Sequence, residues 1–197
     1  MRKLTGPKKF RKLRTAVFIS GNGSNLKNLI RFSLSKISPI KISCVISSNF
    51  KAKGLSFAKK YKITRKMYSF MHKTKDENDL IIYLTKKNID LICLAGFMKI
   101  LSKKFIKKFK GKILNIHPSL LPKFKGLNTH RRAIDNNEKF SGCTVHFVNS
   151  RLDSGKIILQ KKVKILKKDT PETLAKRILK QEHILYPKAL IKLFSNP

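Results

Sequence analysis

Two polar side chains separated by one residue, Asn115 and His117, end an apolar run near the middle of this chain. If residues 112–116 form a strand, the two-residue period sends both side chains to one face, where they converge on a small volume. An amide can donate a hydrogen bond to a developing oxyanion, and an imidazole can exchange a proton near neutral pH. Pro118 and Pro122 then end the strand in a stiff loop. The spacing indicates acyl chemistry, although an Asx-type turn with a capping or buried histidine would use the same residues.

A glycine-rich segment, SGNGSN at residues 20–25, offers a second candidate site. Gly21 and Gly23 permit a tight turn with close backbone approach. The amides of Gly23, Ser24 and Asn25 then point where a helix N-terminus favours an anion, for which phosphate is the natural occupant. The segment is neither GxGxxG nor a Walker loop, so an ordinary strand-to-helix turn is an equal alternative.

Two further polar residues lie downstream. Asp153, in RLDSGKI, precedes an apolar strand, and turn chemistry alone would explain an aspartate followed by serine and glycine. His146, in TVHFV, alternates with apolar residues and could face solvent, pack in a sheet or support the site.

Alternating strand and helix patterns must position these residues. Predicted strands cover residues 16–20, 40–47, 63–68, 89–94 and 113–116, and predicted helices cover 25–32, 52–61, 76–87 and 102–109. Repeated βα units predict an α/β fold with a mainly parallel twisted sheet and helices on both faces. Two later runs, 142–148 and 156–165, are expected to add antiparallel strands before a last helix at 170–194. Ligands of such sheets bind outside the carboxyl ends of the strands, where SGNGSN and NIHP both fall.

Length and composition predict a single enzyme domain. The longest mainly apolar run, residues 89–101, is interrupted by Asp90 and Lys99 and is shorter than the roughly 20 residues that a membrane helix needs. The basic N-terminal stretch lacks the apolar core and cleavage pattern of a secretory signal. We therefore divide the chain into a basic disordered tail at 1–13 and a catalytic domain at 14–197, and we expect a cytoplasmic location without membrane association.

The cysteines and the net charge indicate which metal sites and binding partners the chain is expected to have. Cys44, Cys93 and Cys143 have no metal-like spacing and are expected to be reduced core thiols. The 46 lysines and arginines against 10 acidic residues give a net charge of +36, which attracts nucleic acid, phosphorylated metabolites and polyglutamylated folates alike. Because the lysines are scattered and few aromatic residues lie between them, only non-specific nucleic-acid binding is expected.

Six segments resemble the phosphoribosylglycinamide formyltransferases, the folate-dependent enzymes of purine synthesis. They are AVFISGNGSNL, LAGFMKILS, NIHPSLLPKFKGLNTH, GCTVHFV, LDSGKIILQ and QEHILYP, in the family's order and spacing. The resemblance implies a single-domain, Rossmann-like formyltransferase fold that is a monomer or a homodimer. It also implies transfer of the formyl group of 10-formyltetrahydrofolate, the co-substrate, to the amine of 5-phosphoribosylglycinamide in de novo purine (IMP) biosynthesis, without a metal.

The resemblance also assigns roles to individual residues. The implied catalytic residues are Asn115, His117 and Asp153, with His146 in support. The implied substrate residues are Gly23, Ser24 and Asn25 for the phosphate and Glu182 for the amine. The implied folate-binding residues are Lys73, Met98, Lys99, Ile100, Leu101 and Asn115. Family members often carry arginine where this chain has Lys73 and Lys99; lysine keeps the charge but loses the planar fork.

Three alternatives stay open at this point. Methionyl-tRNA formyltransferases share the Asn, His and Asp arrangement and would profit from a basic surface, although 197 residues leave no room for a separate tRNA-binding domain. A formyltetrahydrofolate deformylase would be expected to carry an N-terminal regulatory domain. The third alternative is a basic nucleic-acid-binding module on a decayed enzyme scaffold, against which the intact Asn, His and Asp residues speak.

Overall fold

The computed structural model describes residues 11–194, which form seven strands and six helices. The strands are β1 (Leu13–Ile19), β2 (Ile40–Ser47), β3 (Thr64–Met67), β4 (Leu91–Leu94), β5 (Lys112–His117), β6 (Phe140–Phe147) and β7 (Ile157–Lys164). The helices are α1 (Ser24–Ser33), α2 (Leu55–Lys60), α3 (Lys73–Lys86), α4 (Lys103–Lys108), α5 (Thr129–Asp135) and α6 (Pro171–Phe194).

All seven strands belong to one sheet in the order β3-β2-β1-β4-β5-β6-β7. The first five strands of that order pair in parallel, whereas β6 is antiparallel to both β5 and β7. This topology confirms the predicted α/β fold with antiparallel additions near the end of the chain. Because β1, β4 and β5 are parallel neighbours, the loops that follow them open on the same edge of the sheet, as ligand-binding loops do in such folds.

Each face of the sheet has its own hydrophobic core. In β1, Val17 and Ile19 join the cluster that packs against α1 and α6, while Ala16 and Phe18 face the cluster that packs against α3 and α4. All four side chains are fully buried. Burial on both faces is typical of parallel strands covered by helices, which explains why β1 has a continuous apolar run instead of an alternating pattern.

The long helix α6 is fixed across one face of the sheet by polar contacts as well as by packing. The hydroxyl of buried Tyr186 donates to the carbonyl oxygens of Leu94 at 3.1 Å and Leu114 at 3.2 Å. The Asn28 amide of α1 donates to the carbonyl of His183 at 2.6 Å. These bonds connect α6 to β4, β5 and α1, and they place its middle beside the functional edge of the sheet.

The structure corrects several predicted boundaries. Helix α5 (Thr129–Asp135) was not predicted, because it has only seven residues and begins after Asn128 in a left-handed conformation with no side-chain cap. β1 starts at Leu13, three residues before the predicted strand, and α2 is shorter than its predicted range of 52–61. β3 lies at the edge of the sheet with all four residues exposed.

The predicted tail at residues 1–13 falls mostly outside the described residues. Within its described part, Arg11 pairs with Asp90 at 2.9 Å, and the Lys12 ammonium donates to the carbonyls of Ser33 and Ser35. Leu13 already belongs to β1. No helix within residues 11–194 is both long enough and apolar enough to cross a membrane.

Candidate active site

Asn115 and His117 lie at the carboxyl end of β5, where the sheet meets the loops. Their side chains share one face of the strand, as the two-residue period predicted. The antiparallel pairing of β5 with β6 sets His146 directly opposite Asn115 in register. Asp153 comes from the loop between β6 and β7 and reaches the same place. The fold therefore brings four predicted polar residues, which come from two separate segments of the sequence, into one cluster.

The Asp153 carboxylate is the centre of this cluster. One oxygen lies 3.4 Å from Nδ1 of His117 and accepts a 2.9 Å hydrogen bond from the backbone amide of Gly126. The other oxygen lies 3.5 Å from the Asn115 amide nitrogen and 3.7 Å from Nε2 of His146. Only 8% of the Asp153 side chain is exposed, so these interactions are only weakly screened by solvent.

Both ring nitrogens of His117 face acceptors. Its Nε2 lies 2.9 Å from the carbonyl oxygen of Phe124, while Nδ1 faces the carboxylate of Asp153. A protonated imidazole, which has two donors, can satisfy both acceptors at once, whereas a neutral ring can satisfy only one. A His117 ring that carries both protons therefore has an acceptor at each nitrogen and can give one proton to the site.

His146 has the opposite role, because its environment favours the neutral ring. Burial lowers the pKa of His146, although the bond to the Phe147 carbonyl and the charge of Asp153 oppose that shift. Its Nδ1 lies 2.8 Å from that carbonyl and so carries the proton, which leaves Nε2 as an acceptor for the Asn115 amide at 3.3 Å. His146 thus orients Asn115.

The lowered pKa of His146 has a consequence for stability. Between the lowered value and the ordinary value of 6.5, the unfolded chain binds more protons than the folded chain. The neutral ring therefore stabilises the fold above pH 6.5, and this contribution is lost as the pH falls through the folded pKa. We expect the free energy of unfolding, measured by urea titration, to decrease from pH 7 to pH 5.

A His146→Gln variant separates this contribution from those of other groups, since glutamine does not titrate. Burial also lowers the pKa values of His130 and His183, so the variant should keep part of the pH dependence. We expect its loss of stability between pH 7 and pH 5 to be smaller than that of the unmodified chain. Equal losses in both proteins would contradict the assignment to His146.

The predicted phosphate loop follows β1 and leads into α1. Gly23 has a φ of 73°, and a Cβ at this position would lie 2.5 Å from the Cα of Gly54, so the two glycine backbones touch. The Gly54 amide also donates to the Gly21 carbonyl at 3.0 Å. The backbone of the loop before α2 thus supports the turn that presents the first amides of α1.

Glu182 of α6 lies beside this loop. It is 7% exposed, burial raises the pKa of its carboxyl group, and one of its oxygens accepts a 2.7 Å hydrogen bond from the Asn25 amide. The side-chain oxygen of Asn25 is buried without a hydrogen-bond partner. Both polar groups line the cleft and are available to a ligand that enters it.

The predicted folate segment follows β4 along the opposite wall. Met98 and Ile100 expose 66% and 63% of their surfaces, whereas Leu101 is buried, and all of them line the cleft together with Lys99. Lys73 is the exception among the predicted site residues. It begins α3 and lines a separate depression with Ser102 and other residues of α3 and α4.

The cleft that joins these walls has a volume of about 700 Å³. Sequence reasoning missed part of its lining, namely Asn128, Thr129, His130 and Arg151. The first three belong to α5 or precede it directly, and no pattern in the sequence sets Thr129 and His130 apart from the rest of the NIHPSLLPKFKGLNTH segment. Within residues 11–194, no cluster of three or more His, Cys, Asp or Glu side chains could hold a metal ion.

Comparisons with known proteins agree with this architecture. Residues 13–190 match the family model described as formyl transferase. A phosphoribosylglycinamide formyltransferase of Haemophilus influenzae is 46% identical over 184 residues, which cover 92% of this chain and 86% of the relative. The human trifunctional purine biosynthetic protein adenosine-3 is 45% identical over 183 residues, but this chain covers only 18% of its length.

Solved structures give the same result. The crystal structure of phosphoribosylglycinamide formyltransferase from Brucella melitensis superposes with a TM-score of 0.88 at 44% identity and covers 95% of this chain and 98% of its own. The corresponding structure from Anaplasma phagocytophilum superposes with a TM-score of 0.85 at 46% identity, covering 92% of this chain and 86% of its own.

Proposed function

This chain belongs to the formyl transferase family, and from that premise we propose how its cleft carries out the reaction of a phosphoribosylglycinamide formyltransferase. It transfers the formyl group of 10-formyltetrahydrofolate to the amine of 5-phosphoribosylglycinamide, a step of de novo purine biosynthesis. The observation that carries the proposed mechanism is the meeting of Asn115, His117 and Asp153 in a cleft that also contains the N-terminus of α1.

The reaction requires one bond to form, one to break and one proton to move. The amine nitrogen forms a bond to the formyl carbon, and the bond from that carbon to the folate nitrogen breaks. In net terms, one proton passes from the attacking amine to the departing folate nitrogen. No bond between the protein and the formyl group is needed, so the task of the protein is to stabilise charge and to move protons.

Asn115 stabilises the charge that develops on the formyl oxygen. Its amide nitrogen is held at 3.3 Å from His146 and 3.5 Å from Asp153, both at the long end of the hydrogen-bond range. An N–H held by such weak contacts is free to turn to a stronger acceptor, and an oxyanion is one. His117 supplies a second donor to the same oxygen when it is protonated.

Asp153 and His117 organise the proton transfer. The buried carboxylate faces Nδ1 of the imidazole at 3.4 Å and can stabilise its protonated form. A water molecule between this pair and the reacting nitrogens would carry the proton from the attacking amine to the leaving nitrogen. General acid–base catalysis of this kind contributes on the order of 10² to 10⁴ in rate.

The amides of Gly23, Ser24 and Asn25 bind the substrate phosphate. They begin a ten-residue helix, whose unpaired N–H groups and dipole favour a negative charge. Glu182, predicted from the resemblance to contact the amine, is bonded to Asn25 through one carboxylate oxygen. Because this carboxylate also lines the cleft, its proposed role remains the contact with the substrate amine that the resemblance implies.

Replacing Gly54 by alanine tests the phosphate loop without touching the ligand. The new Cβ would lie 2.9 Å from the Cα of Gly23 and 2.8 Å from Cδ1 of Ile19, so the loop must move. We expect KM for phosphoribosylglycinamide to rise on the order of tenfold, while KM for 10-formyltetrahydrofolate changes little.

The control for this variant is Ser56→Ala, an exposed position on α2. It reports any general weakening of the helix that Gly54 precedes. Equal effects of Gly54→Ala on the KM values of both substrates would show that the contact with Gly23 does not act on phosphate binding.

The segment after β4 forms the folate side of the cleft. Met98, Ile100 and Leu101 supply apolar walls for a flat ring, and Lys99 supplies a positive charge for the glutamate carboxylate. Asn115 faces the same space from β5. Lys73 is not part of this lining but lies in a separate depression, so its predicted contact with the folate requires the glutamate tail to extend past the rim towards α3.

The remaining proposals concern the setting of the enzyme. We expect a monomer or a homodimer in the cytoplasm, a compartment in which the three free, buried cysteines stay reduced. Within residues 11–194, lysine or arginine pairs with a carboxylate in only three ion pairs. The surface therefore stays strongly basic, and we expect nucleic acid to bind only non-specifically and in a salt-dependent manner.

Because the surface is basic, formyl transfer to initiator methionyl-tRNA is the alternative function that an experiment must test. A direct test supplies 10-formyltetrahydrofolate with phosphoribosylglycinamide, methionyl-tRNA or water as the acceptor in parallel reactions. Transfer to the glycinamide alone supports the proposal and makes the charge incidental to the reaction. Transfer to tRNA alone, or release of formate to water alone, would contradict it.

A further inference from the structure

The loop between β5 and α5 holds two of the catalytic side chains through its backbone. The carbonyl oxygen of Phe124 lies 2.9 Å from Nε2 of His117, and the amide of Gly126 donates to the carboxylate of Asp153 at 2.9 Å. These groups are only two residues apart in the chain. A shift of residues 124–126 would therefore move the Phe124 carbonyl and the Gly126 amide together. The relative orientation of the imidazole and the carboxylate would then change.

The first half of the loop is anchored by two side chains of the sheet, buried Thr144 and Gln160. The hydroxyl of Thr144 donates to the carbonyl of Ser119 at 2.6 Å and accepts from the amide of Leu121 at 3.2 Å. The Gln160 amide donates to the carbonyl of Leu121 at 2.8 Å. None of these contacts reaches the segment that touches the catalytic residues.

The second half of the loop adopts conformations that need support. Phe124, Gly126 and Asn128 have φ values of 55°, 77° and 56°. The left-handed region is easy for glycine and tolerated by asparagine, but it is costly for a bulky residue such as phenylalanine. Contacts from outside the segment must therefore stabilise it.

Arg132 of α5 makes contacts of this kind. Its guanidinium group donates to the carbonyls of Lys125 at 2.7 Å and Leu127 at 3.4 Å, on both sides of Gly126. The same group lies over the ring of Phe124, 5.3 Å from its centroid. One side chain thus binds the backbone on either side of the Gly126 amide and packs against the residue whose carbonyl faces His117.

We propose that Arg132 is a positioning residue for formyl transfer, which fixes residues 124–127 so that their backbone orients His117 and Asp153. This inference rests on the proposed function for its kinetic consequence. Arg132 does not touch the reacting atoms; it acts through the loop. Its loss lowers kcat on the order of tenfold, since small displacements of catalytic groups are costly, and leaves both KM values almost unchanged.

The kinetic experiment compares Arg132→Ala and Arg132→Lys with Arg131→Ala. Arg131 is the adjacent exposed arginine, carries the same charge and acts electrostatically on Glu172. We expect a lower kcat only in the two Arg132 variants. Lysine restores part of it, because it keeps one donor but loses the planar fork and the stacking. Equal kcat values for Arg132→Ala and Arg131→Ala would overturn the proposal.

A second readout does not depend on activity. The Gly126 amide donates to Asp153, so we expect this bond to slow its hydrogen exchange, which NMR can follow in the unliganded protein. We expect faster exchange at Gly126 in Arg132→Ala, with unchanged exchange in β1 and β4, and no such change in Arg131→Ala. Unchanged exchange at Gly126 would overturn the proposal even if kcat fell. If the unmodified chain transferred no formyl group, the proposed function would be wrong. The hydrogen exchange of Gly126 would still show whether Arg132 fixes the loop.

Discussion

Replacing Asp153 by asparagine is expected to lower kcat for formyl transfer by about 10² to 10⁴, the range of general acid–base catalysis. The carboxylate faces His117 at 3.4 Å, and its negative charge stabilises the protonated ring. Asparagine keeps the size of the side chain and removes the charge. The imidazole then loses the group that keeps it available as a proton donor.

Asparagine is the informative replacement at this position because it should leave the fold intact. Asp153 has a φ of 44°, a conformation that asparagine tolerates better than alanine does. Its side-chain oxygen can still accept from the Gly126 amide. Steady-state kinetics and thermal unfolding of the variant should therefore show slow turnover in a folded protein.

Asp79→Asn is a suitable control, since Asp79 is an exposed carboxylate on α3. It removes one negative charge from the same highly basic chain and should leave kcat unchanged. If Asp153→Asn turned over as fast as this control, Asp153 would not take part in proton transfer.

Replacing Asn115 by alanine is expected to lower kcat by about 10² to 10³, which is the usual effect of removing one oxyanion donor. The amide lies at the carboxyl end of β5, where its long contacts with His146 and Asp153 keep it in the cleft but leave its N–H free to turn to the developing oxyanion. Because the charge develops only in the transition state, we expect kcat to fall far more than KM rises.

Steady-state kinetics with both substrates checks this expectation, with Asn78→Ala as the matched control. Asn78 lies on α3, where its side-chain oxygen accepts from Lys108, outside the cleft. A rise in KM with an unchanged kcat in Asn115→Ala would mean that this amide binds the ground state and not the developing oxyanion.

The sequence was sufficient to predict the elements with strong periodicity and the residues that they carry. The strand period placed Asn115 and His117 on one face, and the order of strands and helices predicted the parallel sheet with antiparallel additions. Both follow from local pattern and general topology. The glycines of the first loop likewise predicted a tight turn, and Gly23 has the positive φ that such a turn needs.

Contacts that depend on tertiary structure could not be predicted in this way. The register of β6 against β5 places His146 opposite Asn115, but no spacing in the sequence fixes that register. Asp153 looked like a turn residue, and its positive φ fits that interpretation; only the resemblance pointed to a catalytic role as well. The contact between the Phe124 carbonyl and His117 could not be predicted from residue types, because every residue has a backbone carbonyl.

Helix α5 shows a different limit. It begins after Asn128 in a left-handed conformation, lacks a side-chain cap and contains seven residues, so neither capping signals nor periodicity revealed it. It nevertheless carries His130 into the cleft and Arg132 onto the catalytic loop. The predicted folate contact of Lys73 stays a prediction, since α3 places this residue in a depression separate from the cleft.

The most direct test of the account is a single-turnover assay with enzyme in excess over 10-formyltetrahydrofolate and saturating phosphoribosylglycinamide. It compares the unmodified chain with Asn115→Ala and Asp153→Asn and measures the formylated glycinamide. We expect rapid formation of this product by the unmodified chain and rates at least about 10²-fold lower in both variants. The absence of product from the unmodified chain, or equal rates in all three proteins, would contradict the claim that these residues form a formyl-transfer site.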